Sequence, residues 1–122
     1  MAETDGKTID AHLLISSDRV EGTAVYNPDG EKLGTVSSLM INKATGQVEY
    51  VVLAFGGIFG LGSDHYPLPW AKIQYDVAKH GYVADLTRDQ LLNAPRYPAD
   101  ERPEFDADFY TGINSFYGIG FW

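Results

Sequence analysis

The chain of 122 residues contains no cysteine. The sequence therefore excludes disulfides, thiolate metal sites and a cysteine nucleophile. Basic residues are also scarce, because nine Lys and Arg face 17 Asp and Glu, which gives a formal net charge of -8. An acidic surface repels the phosphates of nucleic acids and the headgroups of anionic lipids. We therefore expect no nucleic-acid partner.

Long hydrophobic runs are missing as well. No apolar run approaches the ~18 residues that a membrane-spanning helix needs. Residues 1–10 are polar and acidic and carry neither the basic region nor the apolar region of a secretory signal. We expect a cytoplasmic protein without a transmembrane segment, in which residues 1–11 form a flexible leader. The length suits one domain.

Several short segments rich in β-branched and aromatic residues are separated by turn signals. The segment 27–30, Asn-Pro-Asp-Gly, is a strong turn signal, because Pro fixes φ and Gly accepts positive φ. Residues 44–46 and 79–81 supply two further turns. The predicted strands span 12–17, 23–26, 32–42, 47–55, 72–78 and 81–86. Residues 65–70 run extended, because each residue before a proline is restricted to β or polyproline geometry.

The segment 47–55 is apolar on both faces of the predicted strand. Val48, Tyr50 and Val52 share one face, whereas Val51 and Leu53 share the other. A strand with one solvated face would alternate more cleanly between apolar and polar residues. We therefore expect the core to cover one face and a segment from elsewhere in the chain to cover the other.

One short helix is predicted near residue 90. Thr87 and Gln90 have the spacing of a capping box, and Pro95 ends the helix. Closely spaced strands with one late helix indicate a mainly β fold, a small antiparallel β-barrel of about six strands. We assign residues 12–95 to this domain and 96–122 to a linker and an aromatic tail that packs on the barrel or on a partner.

The glycine-rich segment 55–63 is interpreted as a turn. Its glycines do not follow the order of a dinucleotide-binding loop, and Pro67 and Pro69 prevent a helix from following it. A hypothesis from another class makes the chain a small hydrolase or metal-dependent enzyme that uses Asp64, His65 and His80. Because the histidines lack the spacing of a metal motif, a structural role for His65 is favoured.

Three stretches together resemble the PRC-barrel domain family: "DGEKLGTVSSLMI" (29–41), "TGQVEYVVLAFGG" (45–57) and "HYPLPWAKI" (65–73). The family is named for the cytoplasmic part of the photosynthetic reaction centre H subunit and includes the C-terminal domain of the ribosome maturation factor. The resemblance implies a small β-barrel and a non-enzymatic role as an assembly or docking module, with no catalytic, cofactor-binding or metal-binding residues.

The chain resembles the stand-alone bacterial form of this family. It lacks the transmembrane helix of the H subunit. A third hypothesis, an RNA-processing or ribosome-maturation accessory, requires a basic face that the acidic composition opposes.

The C-terminal tail is unusually aromatic. It places Phe109, Tyr110, Phe116, Tyr117, Phe121 and Trp122 within fourteen residues. Either the tail covers the outer apolar face of its own barrel, or it docks on a second copy or another protein. The leading hypothesis is a protein-interaction module that forms a homodimer. The predicted contact residues are Ile58, Phe59, Tyr110, Phe116, Tyr117 and Trp122.

Overall fold

The computed structural model describes residues 14–55 and 64–118 of the chain. Within these residues, seven strands form one sheet in the order β5-β6-β1-β2-β3-β4-β7. The strands are β1 (Ala24–Tyr26), β2 (Lys32–Ile41), β3 (Val48–Phe55), β4 (Asp64–Pro69), β5 (Ile73–Asp76), β6 (Gly81–Ala84) and β7 (Tyr97–Pro98). The predicted mainly β fold is confirmed. Across the described ranges the end strands β5 and β7 do not pair, so the sheet is not closed into a strict barrel.

In the part of the chain that the structure describes, three α-helices accompany the sheet: α1 (Ser17–Val20), α2 (Arg88–Leu92) and α3 (Ala107–Tyr117). Helix α2 is the helix that the sequence predicts. The Thr87 hydroxyl accepts from the backbone N–H of Gln90, and the Gln90 side chain accepts from the backbone N–H of Thr87. The prediction of a single short helix is therefore incomplete, because α1 and α3 were not predicted.

The predicted strand over 12–17 is wrong for the residues that the structure describes. Residues 14–16 are irregular, and Ser17 begins the single turn of α1. The helical turn buries Val20, which is 3% exposed, whereas Leu14 is 93% exposed. Of the apolar side chains in the described residues 14–20, only that of Val20 reaches the core, and one helical turn is enough to place it there.

The predicted antiparallel pairing is wrong for one pair of strands. β1 and β6 are parallel, with Val25 opposite Tyr82, whereas the other neighbouring strands in the described sheet are antiparallel. A parallel pair needs a long connection, and here β2 to β5 provide it. Gly81 allows the two backbones to approach, since a Cβ there would lie 2.7 Å from the Ala24 carbonyl oxygen. The positive φ of the β5–β6 turn belongs to His80.

Strand β3 is buried on both faces, as the sequence predicts. Val51 and Leu53 on one face and Val52 on the other have no exposed surface, and Tyr50 is 4% exposed. Leu53 lies opposite Val36 of β2 and Tyr66 of β4, which extend the first face across the sheet. This face forms most of the core.

Helix α3 covers the face of β3 that carries Tyr50. The Asp106 carboxylate caps its first turn by accepting from the backbone N–H of Phe109, and Gly118 ends it with φ +72°. Ile113 and Asn114 of the helix are buried, with 0% and 8% exposure. The tail therefore supplies the second cover over β3 from within its own chain.

Two glycine substitutions are expected to change stability in opposite directions. A Cβ on Gly34 would overlap the backbone carbonyl oxygen of Ala54, so Gly34→Ala should lower the free energy of unfolding by about 1–3 kcal/mol. A Cβ on Gly112 meets no atom within 4 Å, so Gly112→Ala should raise it by about 0.5–1 kcal/mol, because alanine favours the helix. Urea unfolding of both variants measures the difference. Equal effects at the two positions would contradict the close approach of β2 and β3.

Candidate functional site

An open groove of about 800 Å³ lies where the β2–β3 turn, the end of β4 and helix α3 meet. We call it the aromatic groove, and its principal lining residues are Met40, Ile41, Tyr50, Trp70, Tyr110 and Asn114. Local structure fixes each wall. The Asn42 Oδ1 accepts hydrogen bonds from the backbone N–H groups of Ala44 and Thr45 at 2.8 and 3.1 Å, which shapes the turn between β2 and β3. A short 3₁₀ turn, Trp70–Lys72, follows β4.

The floor of the aromatic groove is an ordered set of polar and aromatic contacts. The Tyr50 hydroxyl donates a hydrogen bond of 2.9 Å to Asn114 Oδ1. The ring of Tyr110 stacks on Tyr50 with a centroid distance of 5.7 Å and an interplanar angle of 10°. Phe105 meets the Tyr50 ring edge-on at 6.0 Å. Burial raises the pKa of Tyr50, and the hydrogen bond to Asn114 opposes that rise. The floor is therefore preformed and neutral at physiological pH.

The rim of the groove carries exposed apolar side chains. Ile41 is 49% exposed, Trp70 is 38% exposed and Tyr110 is 37% exposed. Trp70 is held in place by an edge contact with Tyr82 at 5.9 Å between ring centroids. These three residues come from β2, the turn after β4 and α3, so the fold brings together side chains that are distant in sequence.

The predicted contact residues occupy different environments. Tyr110 lines the aromatic groove. Phe116 is 41% exposed on α3, and Tyr117 is buried with 8% exposed, so its ring belongs to the core. The other three predicted contacts, Ile58, Phe59 and Trp122, lie outside the described residues.

Sequence reasoning missed Ile41, Trp70 and Asn114 as residues of the groove. Two of them carried a signal, because Trp70 is a large aromatic residue at the end of the extended segment 65–70 and Ile41 is the last apolar residue before the predicted turn at 44–46. Nothing in the sequence marks Asn114, because its role depends on the hydroxyl of Tyr50 in a distant strand.

The residues of the enzyme hypothesis do not come together in the described structure. Asp64 and His65 are neighbours on β4 and so point to opposite faces of the sheet. Asp64 forms an ion pair with Arg96 at 3.2 Å, whereas His65 lies 3.5 Å from the Ser37 hydroxyl and meets the Tyr97 ring edge-on. His80 lies between β5 and β6, separated from β4 in the sheet order by β1, β2 and β3.

Metal ligands are not clustered over 14–55 and 64–118, where no group of three His, Cys, Asp or Glu side chains is placed to hold an ion. The groove lining itself holds one charge of each sign, Lys43 and Glu49, and the segment that precedes α3 is mainly acidic. The segment 100–108, which leads into α3, carries Asp100, Glu101, Glu104, Asp106 and Asp108 against Arg102.

None of the helices that the structure describes is long and apolar enough to cross a membrane.

Comparison with known proteins identifies the domain that carries the β2–β3 turn and the end of β4 at the groove. The PRC-barrel domain family profile matches residues 14–91, and the chain belongs to this family. An uncharacterized protein of Deinococcus radiodurans is 29% identical over 80 residues, which are 66% of this chain and 28% of that protein. The chain thus spans little more than a quarter of that relative's length. Helix α3 lies beyond the matched span, so the groove joins the family domain to a helix outside it.

Two buried tyrosines, Tyr50 of β3 and Tyr117 of α3, are expected to respond oppositely to the same substitution. Tyr50→Phe removes a hydrogen bond and leaves the buried Oδ1 of Asn114 unpaired, so the free energy of unfolding should fall by about 1–2 kcal/mol. The buried Tyr117 hydroxyl has no hydrogen-bond partner among the described residues, so Tyr117→Phe should raise the free energy of unfolding by roughly 1 kcal/mol. Denaturant unfolding of both variants tests this, and a destabilised Tyr117→Phe would show that this hydroxyl is bonded.

Stability should fall at alkaline pH. Burial raises the pKa of Tyr50, Tyr66, Tyr82, Tyr97 and Tyr117. The unfolded chain therefore releases these protons first, near the ordinary tyrosine pKa of about 10. Their contribution is complete below that pH and is lost as the pH rises through the higher folded pKa values.

The measurement is the free energy of unfolding as a function of pH in wild type and Tyr117→Phe. Below pH ~10 the two curves should be parallel. Above it the wild type should fall more steeply, by at most about 1.4 kcal/mol per pH unit, because only the wild type can titrate Tyr117. Parallel curves above pH ~10 would contradict the raised pKa of this residue.

Proposed function

We propose that this chain is a non-catalytic protein-interaction module of PRC-barrel type that works in the cytoplasm and binds a protein partner at the aromatic groove. The observation that carries the proposal is the convergence of Ile41, Trp70 and Tyr110, each more than a third exposed, on one preformed groove. Membership of the PRC-barrel family supports a non-catalytic module.

The groove has the composition of an interface core. Exposed apolar residues that occur singly on a surface need no explanation, whereas apolar residues grouped around one depression mark binding sites. Aromatic residues and methionine are enriched at the cores of protein interfaces, and Met40, Trp70 and Tyr110 supply these types. Because the Tyr50–Asn114 bond and the Tyr50–Tyr110 stack already order the floor, binding costs little conformational entropy there.

Two rival functions find less support in the described residues. A hydrolytic or metal-dependent site needs groups that converge, whereas Asp64 and His65 point to opposite faces of the sheet. A ribosomal RNA partner needs a basic face, whereas the chain carries a formal net charge of -8.

The partner is a second copy of this chain or a different protein. The homodimer hypothesis places the exposed ring of Phe116 and that of Tyr110 in the contact between copies. Sedimentation velocity on the wild-type chain separates the two cases. A concentration-dependent dimer that Phe116→Ser disrupts would support the homodimer, whereas a monomer throughout would assign the groove to another protein.

Ile41→Lys should weaken partner binding about tenfold or more, because it places an ammonium group in the apolar rim. Leu92→Lys is the matched control, since Leu92 on α2 is 48% exposed against 49% for Ile41 and does not line the groove. The measurement is quantitative affinity capture by wild type and both variants, with circular dichroism to show that each is folded.

Loss of the same captured protein with Ile41→Lys, but not with Leu92→Lys, is the expected result. Equal capture by all three folded proteins would place the interaction elsewhere on the molecule.

A further inference from the structure

The size of the exposed apolar surface indicates what kind of partner fits the aromatic groove. A stable dimer buries about 800 Å² on each partner, through roughly 20–30 residues a side. Around the groove, exposed large apolar residues are limited to Ile41, Trp70 and Tyr110 within the described ranges. The outward side of α3 next to them presents exposed Asp108, Thr111 and Ser115. This surface suits a short segment better than a second folded domain.

Strand addition is not available at β3. A peptide that extends a sheet needs an unpaired strand edge. β3, whose first residues line the groove, is paired with β2 on one side and with β4 on the other. A segment bound over β3 must therefore lie across side chains, in contact with rings and apolar groups of the groove.

Asn114 favours a segment with free backbone carbonyl groups. The residue lines the groove and is 8% exposed. Its Oδ1 accepts from Tyr50, which leaves its Nδ2 as a donor, and no residue in the described ranges accepts a hydrogen bond from that nitrogen. The carbonyl groups of a bound helix are engaged within the helix, whereas a polyproline II segment has no internal hydrogen bonds and leaves its carbonyls free.

The aromatic rings favour proline in that segment. Grooves lined by aromatic residues bind polyproline II peptides, because these peptides are already extended and lose little entropy on binding. Here the rings of Trp70 and Tyr110 form part of the rim and the ring of Tyr50 forms part of the floor.

Lys43 and Glu49 in the groove lining balance each other, so the excess charge beside the groove is that of the acidic segment 100–108, which favours basic residues on the partner. Phe105 packs against Tyr50 at 6.0 Å and Tyr110 at 6.4 Å, so the adjacent acidic residues Glu104 and Asp106 lie beside the groove wall. The segment 100–108 carries five carboxylates and one guanidinium. Complementary charges steer association and set the register of a bound chain.

We propose that the aromatic groove binds an extended, proline-containing peptide segment flanked by Lys or Arg residues. This inference rests on the proposed function and adds the chemistry of the partner. Apolar and proline side chains pack against Trp70, Tyr110 and Ile41, a peptide carbonyl accepts from Asn114 Nδ2, and basic side chains lie along the acidic segment that precedes α3.

The probe is the synthetic peptide Ac-KPPLPPLPRK-NH2. It is titrated to about 1 mM, so that dissociation constants up to the millimolar range are detected. Two control peptides separate the contributions: Ac-EPPLPPLPEE-NH2 reverses the charge, and Ac-KAALAALARK-NH2 replaces every proline by alanine. Full-length protein with Trp122→Phe leaves Trp70 as the single tryptophan, so its fluorescence reports the rim. The side-chain amide signal of Asn114 in nuclear magnetic resonance spectra reports the floor.

The expected result is saturable binding of the first peptide with shifts at both Trp70 and Asn114. Each control peptide should bind at least about tenfold more weakly than the first peptide. Added salt should lower the affinity of the basic peptide. Ile41→Lys should lower its affinity about tenfold or more, and Leu92→Lys, which adds the same charge, should change it less than about threefold.

Several results would overturn the inference. These are no shift of either reporter up to about 1 mM, equal binding of the alanine peptide, or preferential binding of the acidic peptide. If Ile41→Lys abolishes capture of the native partner while the peptides fail, the proposed function stands and the peptide assignment falls. If neither peptide binding nor capture responds to Ile41→Lys, both fall.

Discussion

The burial of β3 on both faces is the constraint on which the rest of this structure depends. One face packs into the core through Val51 and Leu53, and the other carries Tyr50 and Val52, which also need cover. Helix α3 covers Tyr50, and the bond from the Tyr50 hydroxyl to Asn114 fixes the helix on the sheet. The aromatic groove forms because this helix lies beside the first residues of β3, next to the β2–β3 turn. A role in binding therefore depends on the same contact that completes the fold.

Local chemistry made much of the fold predictable. Gly30 and Gly46 adopt the positive φ that their turns require, and strands end where the turn signals place them. The Thr87 capping box forms as the residue spacing indicates. The apolar residues on both faces of 47–55 correctly predicted a strand covered twice. Each of these features depends on neighbours within a few residues, which a sequence displays directly.

The remaining features depend on contacts between distant residues. The parallel pairing of β1 with β6 follows from the path of four intervening strands. Gly81, which lets β6 approach the backbone of Ala24, is the sequence feature related to this pairing. The helical form of the tail was missed because aromatic residues and Gly112 favour helix weakly, whereas packing of Ile113 stabilises it. For the candidate site, Tyr110 was predicted as a contact and lines the groove, whereas the role of Asn114 can be seen only once α3 is placed beside β3.

The most direct test of this account compares the full-length chain with one that ends at Arg96, by thermal unfolding and by binding of an apolar dye. The shortened chain lacks β7, Phe105 and α3, so it uncovers Tyr50 and loses the burial of Ile113 and Tyr117, each worth about 1.5–3 kcal/mol. The account predicts that the shortened protein melts at a markedly lower temperature or fails to unfold cooperatively, and that it binds the dye. An equal melting temperature without dye binding would show that α3 is not the cover of β3.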